Sequence, residues 1–251
     1  MRSSFLCCCL LLACVVQLSS ARQLRQNGRN LVSSSSAWCR GWMTNVESGN
    51  IKGFKNTPVQ CYSTIRKYME KGQYLVDLSV STSEMWNYVS TIKADGVSDA
   101  IMFDIDETLI STAQIQAQFK YGTAPFNATY YDSQQDTLIL PAMPPSLDLY
   151  HKLKAAGWKV ILVTGRKEPS RAHTADNLKA VGYSDYDLLI LKTDDYTGLT
   201  AAVYKSMVRA KLEKENGYKF RSCAGDQYSD CLGEATGERT WKFPNPMYYA
   251  A

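Results

Sequence analysis

The chain is 251 residues long, with a formal net charge of +4, 45% hydrophobic residues and 21% charged residues. That length suits one large domain or one domain with an appendage, and the composition suits a soluble globular protein with a full core. The charge is mild and no basic run is interleaved with aromatics, which argues against a nucleic-acid partner.

The N-terminus is a different material from the rest. Arg2 precedes the apolar run FLCCCLLLACVV, and QLSSA then supplies small residues. This three-part pattern predicts a secretory signal peptide over 1–21, cleaved after Ala21. The apolar run is too short to cross about 30 Å of hydrocarbon comfortably, so no stable membrane anchor is expected. Localisation is therefore expected along the secretory pathway, as a secreted, cell-wall or vacuolar protein. Residues 22–36, RQLRQNGRNLVSSSS, read as a disordered leader.

Cleavage removes Cys7, Cys8, Cys9 and Cys14 and leaves Cys39, Cys61, Cys223 and Cys231 in an oxidising compartment. Four cysteines allow three connectivities. Proximity in sequence favours Cys39–Cys61 and Cys223–Cys231. A zinc site is the weaker alternative, since there is no CxxC pair and only His151 and His173 to help. Asn127-Ala128-Thr129 is a glycosylation sequon.

Residues 37–97 carry helical periodicity and form an N-terminal helical part. Thr57 is placed to cap a helix with Pro58 at its first position and an apolar stripe of Val59, Ile65, Tyr68 and Met69. Met85, Tyr88, Val89 and Ile92 repeat the spacing on a second helix. Both stripes read as core packing.

Beyond residue 99 short apolar runs alternate with helical stretches. The predicted strands are 100–105, 158–164, 186–191 and 218–224. The predicted helices between them lie near 144–156, 168–181 and 203–215. Continuous apolar strands separated by helices argue for a parallel sheet covered on both faces, with ligand sites at the carboxyl ends of its strands. Residues 109–143 form a long insertion after the first strand, of a length that suggests a lid.

The strand ends carry the chemistry. The first runs into DIDET, where Asp104 and Asp106 would share one face of an extended chain. The second ends in TGR at Thr164, Gly165 and Arg166, and the fourth in GDQYSD with Asp226 and Asp230. Lys205 lies on the helix before the fourth strand. A parallel sheet would bring these groups to one edge. Clustered carboxylates are tolerated around a divalent cation such as Mg2+, which takes carboxylate and phosphate oxygens. One carboxylate can attack phosphorus and a second can move the leaving-group proton, while a threonine and a lysine cradle the phosphoryl oxygens. Arg166 would touch phosphate or anchor the loop by pairing with a carboxylate. Glu107 reads as a solvent-facing or turn-capping charge, and His151 and His173 as surface histidines. Tyr121 and Tyr131 of the insertion would line a substrate entrance or, as the favoured reading, serve packing.

DIDET, TGR, YK and GDQYSD, in that order, resemble the four motifs of the haloacid dehalogenase superfamily of phosphatases. The resemblance is closest to its plant acid phosphatase branch, which includes the vegetative storage proteins. FDIDETLIS, PPSLDLYHKLKAAGWKVILVTGRKE, GDQYSDCLG and the WCRGWM region support it, and it covers about residues 37–245. It implies a Rossmann-like α/β fold: a parallel sheet with helices on both faces, a small cap insertion over 109–143 and an N-terminal helical extension. It implies a Mg-dependent acid phosphatase acting on small-molecule phosphomonoesters through an aspartyl-phosphate, or a vegetative storage protein with residual activity. Asp104 would be the nucleophile and Asp106 the general acid and base. Thr164, Gly165 and Lys205 would hold the phosphate. Asp104, the backbone carbonyl of Asp106, and Asp226 would hold Mg2+, with Asp230 acting behind them. A homodimer is among the expected assemblies.

Overall fold

The computed structural model describes residues 35–251. The expectations for 1–21 and most of 22–36 lie outside the described residues. Ser35 and Ser36, assigned to the leader from sequence, instead open the first described helix, α1 (Ser35–Glu47).

Helices α2 (Tyr62–Glu70) and α3 (Gln73–Val89) follow. Thr57 does not cap α2. A short 3-10 turn, Val59–Cys61, precedes that helix, and Thr57 Oγ1 donates to the Tyr121 carbonyl at 3.3 Å. Val59 lies off the stripe and is 74% exposed, while Ile65, Met85 and Val89 are fully buried. The disulfide Cys39–Cys61 ties α1 to the start of α2 and sits in a small core with Trp42, Val46, Ile65 and Tyr121.

A five-stranded parallel sheet is built from β1 (Asp99–Phe103), β2 (Lys159–Lys167), β3 (Leu188–Lys192), β4 (Lys219–Gly225) and β5 (Arg239–Lys242), in the order β3-β2-β1-β4-β5. Side chains alternate across β1 and β2. Ile101, Phe103, Val160 and Leu162 enter the core shared with α3, α6 (Pro144–Ala155) and α7 (Arg171–Ala180). Ala100, Met102, Ile161 and Val163 enter the core under α8 (Ala201–Asn216). Burial on both faces explains why these strands read as unbroken apolar runs. The edge strand β5, RTWK, was not predicted, because it is short, half-exposed and carries no apolar run.

The insertion at 109–143 is not one loop. It holds α4 (Ala113–Gln116), a 3-10 turn and α5 (Ala128–Gln135). Asn127 caps α5, its Oδ1 accepting from Tyr130 N at 3.0 Å. Among the described residues no helix is long and apolar enough to cross a membrane.

Candidate active site

The predicted motifs meet at the carboxyl edge of the sheet. Asp104, Asp106, Thr164, Gly165, Lys205, Asp226 and Asp230 all border one cavity of about 530 Å3. The chain reaches it from β1 by a turn rather than by continued strand. Asp104 N–H still donates to the Ala224 carbonyl at 3.0 Å, holding the β1–β4 pairing one residue past the strand. The Ile105 carbonyl then accepts from Thr108, Leu109 and Ile110, folding the motif into a compact loop. The loop puts Glu107 at φ 53°, a left-handed conformation that a non-glycine residue adopts only when its surroundings hold it there. Thr108 Oγ1 accepts from Asp226 N at 3.1 Å and ties this loop to the end of β4.

Asp104 and Asp106 therefore reach the cavity by separate routes and have separate partners. Lys205 Nζ hydrogen-bonds to Asp104 Oδ1 and, at 2.7 Å, to Asp230 Oδ1. Arg166 pairs with Asp106, the carboxylate contact expected of it, and also borders the cavity. Gln135 of α5 adds a bond from Nε2 to Asp106 Oδ1 at 3.1 Å, joining the cap to the site. Thr164 Oγ1 accepts from Arg166 N at 3.1 Å, and no atom would lie within 4 Å of a Cβ at Gly165. The TGR motif lies inside β2, which runs on to Lys167.

Asp104, Asp226 and Asp230 each offer a carboxylate oxygen, and the three oxygens lie within 4.8 Å of one another. Asp230 has its Oδ1 held by Lys205. Its Oδ2 accepts from Gln227 N at 2.8 Å, and its backbone carbonyl accepts from the buried Arg209 at 2.6 Å. The disulfide Cys223–Cys231 brackets this acidic loop.

One ammonium faces three buried carboxylates, and their protonation reflects it. Burial pushes Asp104 well above the usual carboxylate range despite Lys205, and Asp230, Asp226 and Asp106 push it further. Burial, then Asp230 and Glu107, raise Asp226 to about 7. Burial works against the charge of Lys205, but Asp104 and Asp230 outweigh it and hold the ammonium above the usual lysine range. Excess negative charge on an all-oxygen donor set fits a hard divalent cation. Among the described residues no hydrogen bond engages Asp104 Oδ2 or Asp226 Oδ1, so both are available to the cavity.

Of the two readings of Glu107 the solvent-facing one is overturned, since the residue is fully buried, while its contact with the Thr112 N–H fits the turn-capping one. Its carboxylate accepts from Thr112 N at 2.6 Å, from Thr112 Oγ1 and from Tyr248 OH at 2.8 Å. Burial, then the charge of Asp106, raises it to about 7. Sequence reasoning also missed the C-terminal tail. Asn245 Nδ2 donates to Asp226 Oδ2 at 2.6 Å, and Tyr248 and Tyr249 border the cavity. Tyr131 borders it too, whereas Tyr121 is buried and donates to Glu70 Oε1 at 2.8 Å. His151 is exposed as expected, but His173 is half-buried, with Nε2 3.0 Å from the Leu138 carbonyl.

The profile of the family described as HAD superfamily, subfamily IIIB (Acid phosphatase) matches residues 26–251. Acid phosphatase 1 of Solanum lycopersicum is 35% identical over 212 residues, covering 84% of this chain and 83% of its own. Vegetative storage protein 1 of Arabidopsis thaliana is 36% identical over 217 residues, covering 84% of this chain and 78% of its own. The class C acid phosphatase from Bacillus anthracis shares the fold, with a TM-score of 0.60 at 20% identity over 73% of this chain and 82% of its own.

Proposed function

Because the chain belongs to the acid phosphatases of HAD superfamily subfamily IIIB, we propose that it hydrolyses phosphomonoesters through an aspartyl-phosphate on Asp104, with Mg2+ as its cation. The observation that carries this reading is the division of cations between the two aspartates: Lys205 on Asp104 and Arg166 on Asp106. Paired nucleophile and acid roles need two carboxyls in different environments.

Asp104, with Oδ1 held by Lys205, attacks phosphorus through Oδ2. The P–O bond to the leaving group breaks as that oxygen takes a proton from Asp106. Asp106 must turn one oxygen away from Arg166 to do this. Asp106 then takes a proton from water, whose oxygen attacks the phosphoryl group and releases inorganic phosphate and free Asp104. Thr164, Gly165 and Lys205 line the cavity where the phosphoryl oxygens would carry growing charge. Asp104, Asp226 and the Asp106 carbonyl would hold Mg2+, with Asp230 next to them, and the cation would supply positive charge that offsets the phosphate and the clustered carboxylates.

The two disulfides support a secreted or vacuolar protein, since such bonds persist in oxidising compartments. Exposed Asn127, at the start of α5, suits an N-glycan. The similarity to a vegetative storage protein supports a second, coexisting storage role. Storage alone would leave the Asp104–Lys205 and Asp106–Arg166 pairs without a purpose.

The test is turnover of a phosphomonoester panel with Mg2+ and with chelator, together with trapping of phosphoenzyme. Wild-type protein should lose activity in chelator and yield phosphoenzyme, and Asp104→Asn should yield none. Normal phosphoenzyme from Asp104→Asn would refute the assignment.

A further inference from the structure

The last residues of the chain turn back over the metal-ligand cluster, and one of them touches it directly. Asn245 is 1% exposed, and its Nδ2 donates to Asp226 Oδ2 at 2.6 Å. Gln227 Nε2 donates to the same oxygen at 2.7 Å. An amide nitrogen can only donate, so these contacts fix which carboxylate oxygen faces the tail. The other, Oδ1, is left to the cavity.

Asn245 is itself held at both ends. Its backbone N–H donates to Glu47 Oε1 at 2.9 Å, and its Oδ1 accepts from Met247 N at 2.9 Å. Glu47 Oε2 accepts from Lys242 Nζ at 2.7 Å, which clamps the end of β5 to the same carboxylate. The brace thus runs from α1 through Glu47 and Asn245 to Asp226. It involves no residue of the four motifs except its endpoint.

We propose that Asn245 is a positioning residue that holds Asp226 in one orientation for a divalent cation. This inference rests on the metal site described above. Without Asn245 only Gln227 would hold Asp226 Oδ2, so the carboxylate would rotate more freely and the cation would have to order it on binding. Partners that orient a metal-ligating carboxylate matter to affinity for this reason.

The experiment titrates Mg2+ into the metal-free full chain by calorimetry, for wild type, Asn245→Leu, Asn245→Ala and Val46→Ala. Asn245→Leu keeps side-chain volume but removes the donor, and Asn245→Ala is a smaller second removal. Val46 packs in the same core as Met247 but does not touch Asp226, so Val46→Ala loosens the packing beneath the tail and leaves the donor in place. Both Asn245 variants should bind Mg2+ about tenfold or more weakly, with substrate KM unchanged once Mg2+ is saturating. Val46→Ala should lower the thermal midpoint and keep wild-type Mg2+ affinity. Wild-type Mg2+ affinity in the Asn245 variants overturns the inference. So does an equal loss in Val46→Ala, which would assign the effect to packing. Absence of Mg2+ binding by the wild type overturns the metal reading itself, and the inference with it.

Discussion

Arg166 grips Asp106 with two hydrogen bonds, Nε to Oδ2 at 3.0 Å and Nη2 to Oδ1 at 2.7 Å. The guanidinium is buried and is anchored in turn by a bond from Nη1 to Thr174 Oγ1 at 3.2 Å. The pair fixes the proposed proton-transfer residue from β2, while α8 fixes the nucleophile through Lys205. A lysine cannot reproduce a two-pronged grip on a carboxylate. Arg166→Lys should therefore lower kcat toward alkyl phosphates by roughly tenfold to a hundredfold through misplacement of Asp106. An activated aryl phosphate, whose leaving group needs less protonation, should suffer less. Steady-state kinetics on both substrates checks this. A raised KM with unchanged kcat would place Arg166 on the substrate instead.

Metal-free protein should become less stable as pH rises from about 4 to 7. Asp226 and Glu107 are each raised to about 7, from ordinary values of 3.8 and 4.5, mainly by burial. Across that window the folded state keeps protons that the unfolded chain has released, so stability falls with rising pH. A bound dication takes the place of those protons and should flatten the dependence. Thermal midpoints across the window, with chelator and with excess Mg2+, test this. A chelated protein that gains stability between pH 5 and 7 would contradict it.

Gly225→Ala should disturb Asp230. An added Cβ would fall inside the Asp230 side chain, well within van der Waals contact. Asp230 would have to leave Lys205 or the Gln227 N–H, because both bonds depend on its present place. Overpacking of this kind costs about 1–3 kcal/mol. Denaturant unfolding should show that loss, and calorimetry should show weaker Mg2+ binding. A variant matching wild type in both would show that the loop yields without cost.

The Cys223–Cys231 bond closes a short loop that carries Asp226 and Asp230. Replacing both residues by alanine should lower stability by roughly 2–3 kcal/mol on loop-entropy grounds. A further loss should come from the buried Cys223 site in the core under α8. Urea midpoints of oxidised wild type and the double variant provide the comparison. Equal midpoints would mean that Arg209 and Lys205 hold the loop unaided.

The parallel sheet, its central strands and the identity of the residues at the strand ends were legible in the amino-acid pattern. The reason is local. A strand buried on both faces must be apolar throughout, so a run such as AIMF followed by DIDET marks both the strand and its end within a few residues. The two disulfides were legible for a similar reason, each joining cysteines near in sequence. The remaining features depend on chain segments that meet from far apart. Asn245 is separated from Asp226 by 19 residues and from Glu47 by 198, and no pattern around NPMYY signals that meeting. Glu107 lies within the charged DIDET motif and reads as solvent-facing or turn-capping. It is buried because Thr112 and Tyr248 close over it and satisfy its oxygens. The carboxylate that Arg166 pairs with is not evident from TGR, because the turn after β1 is what brings Asp106 to it. The edge strand β5 has too few apolar residues to announce itself, and its place was fixed by pairing with β4.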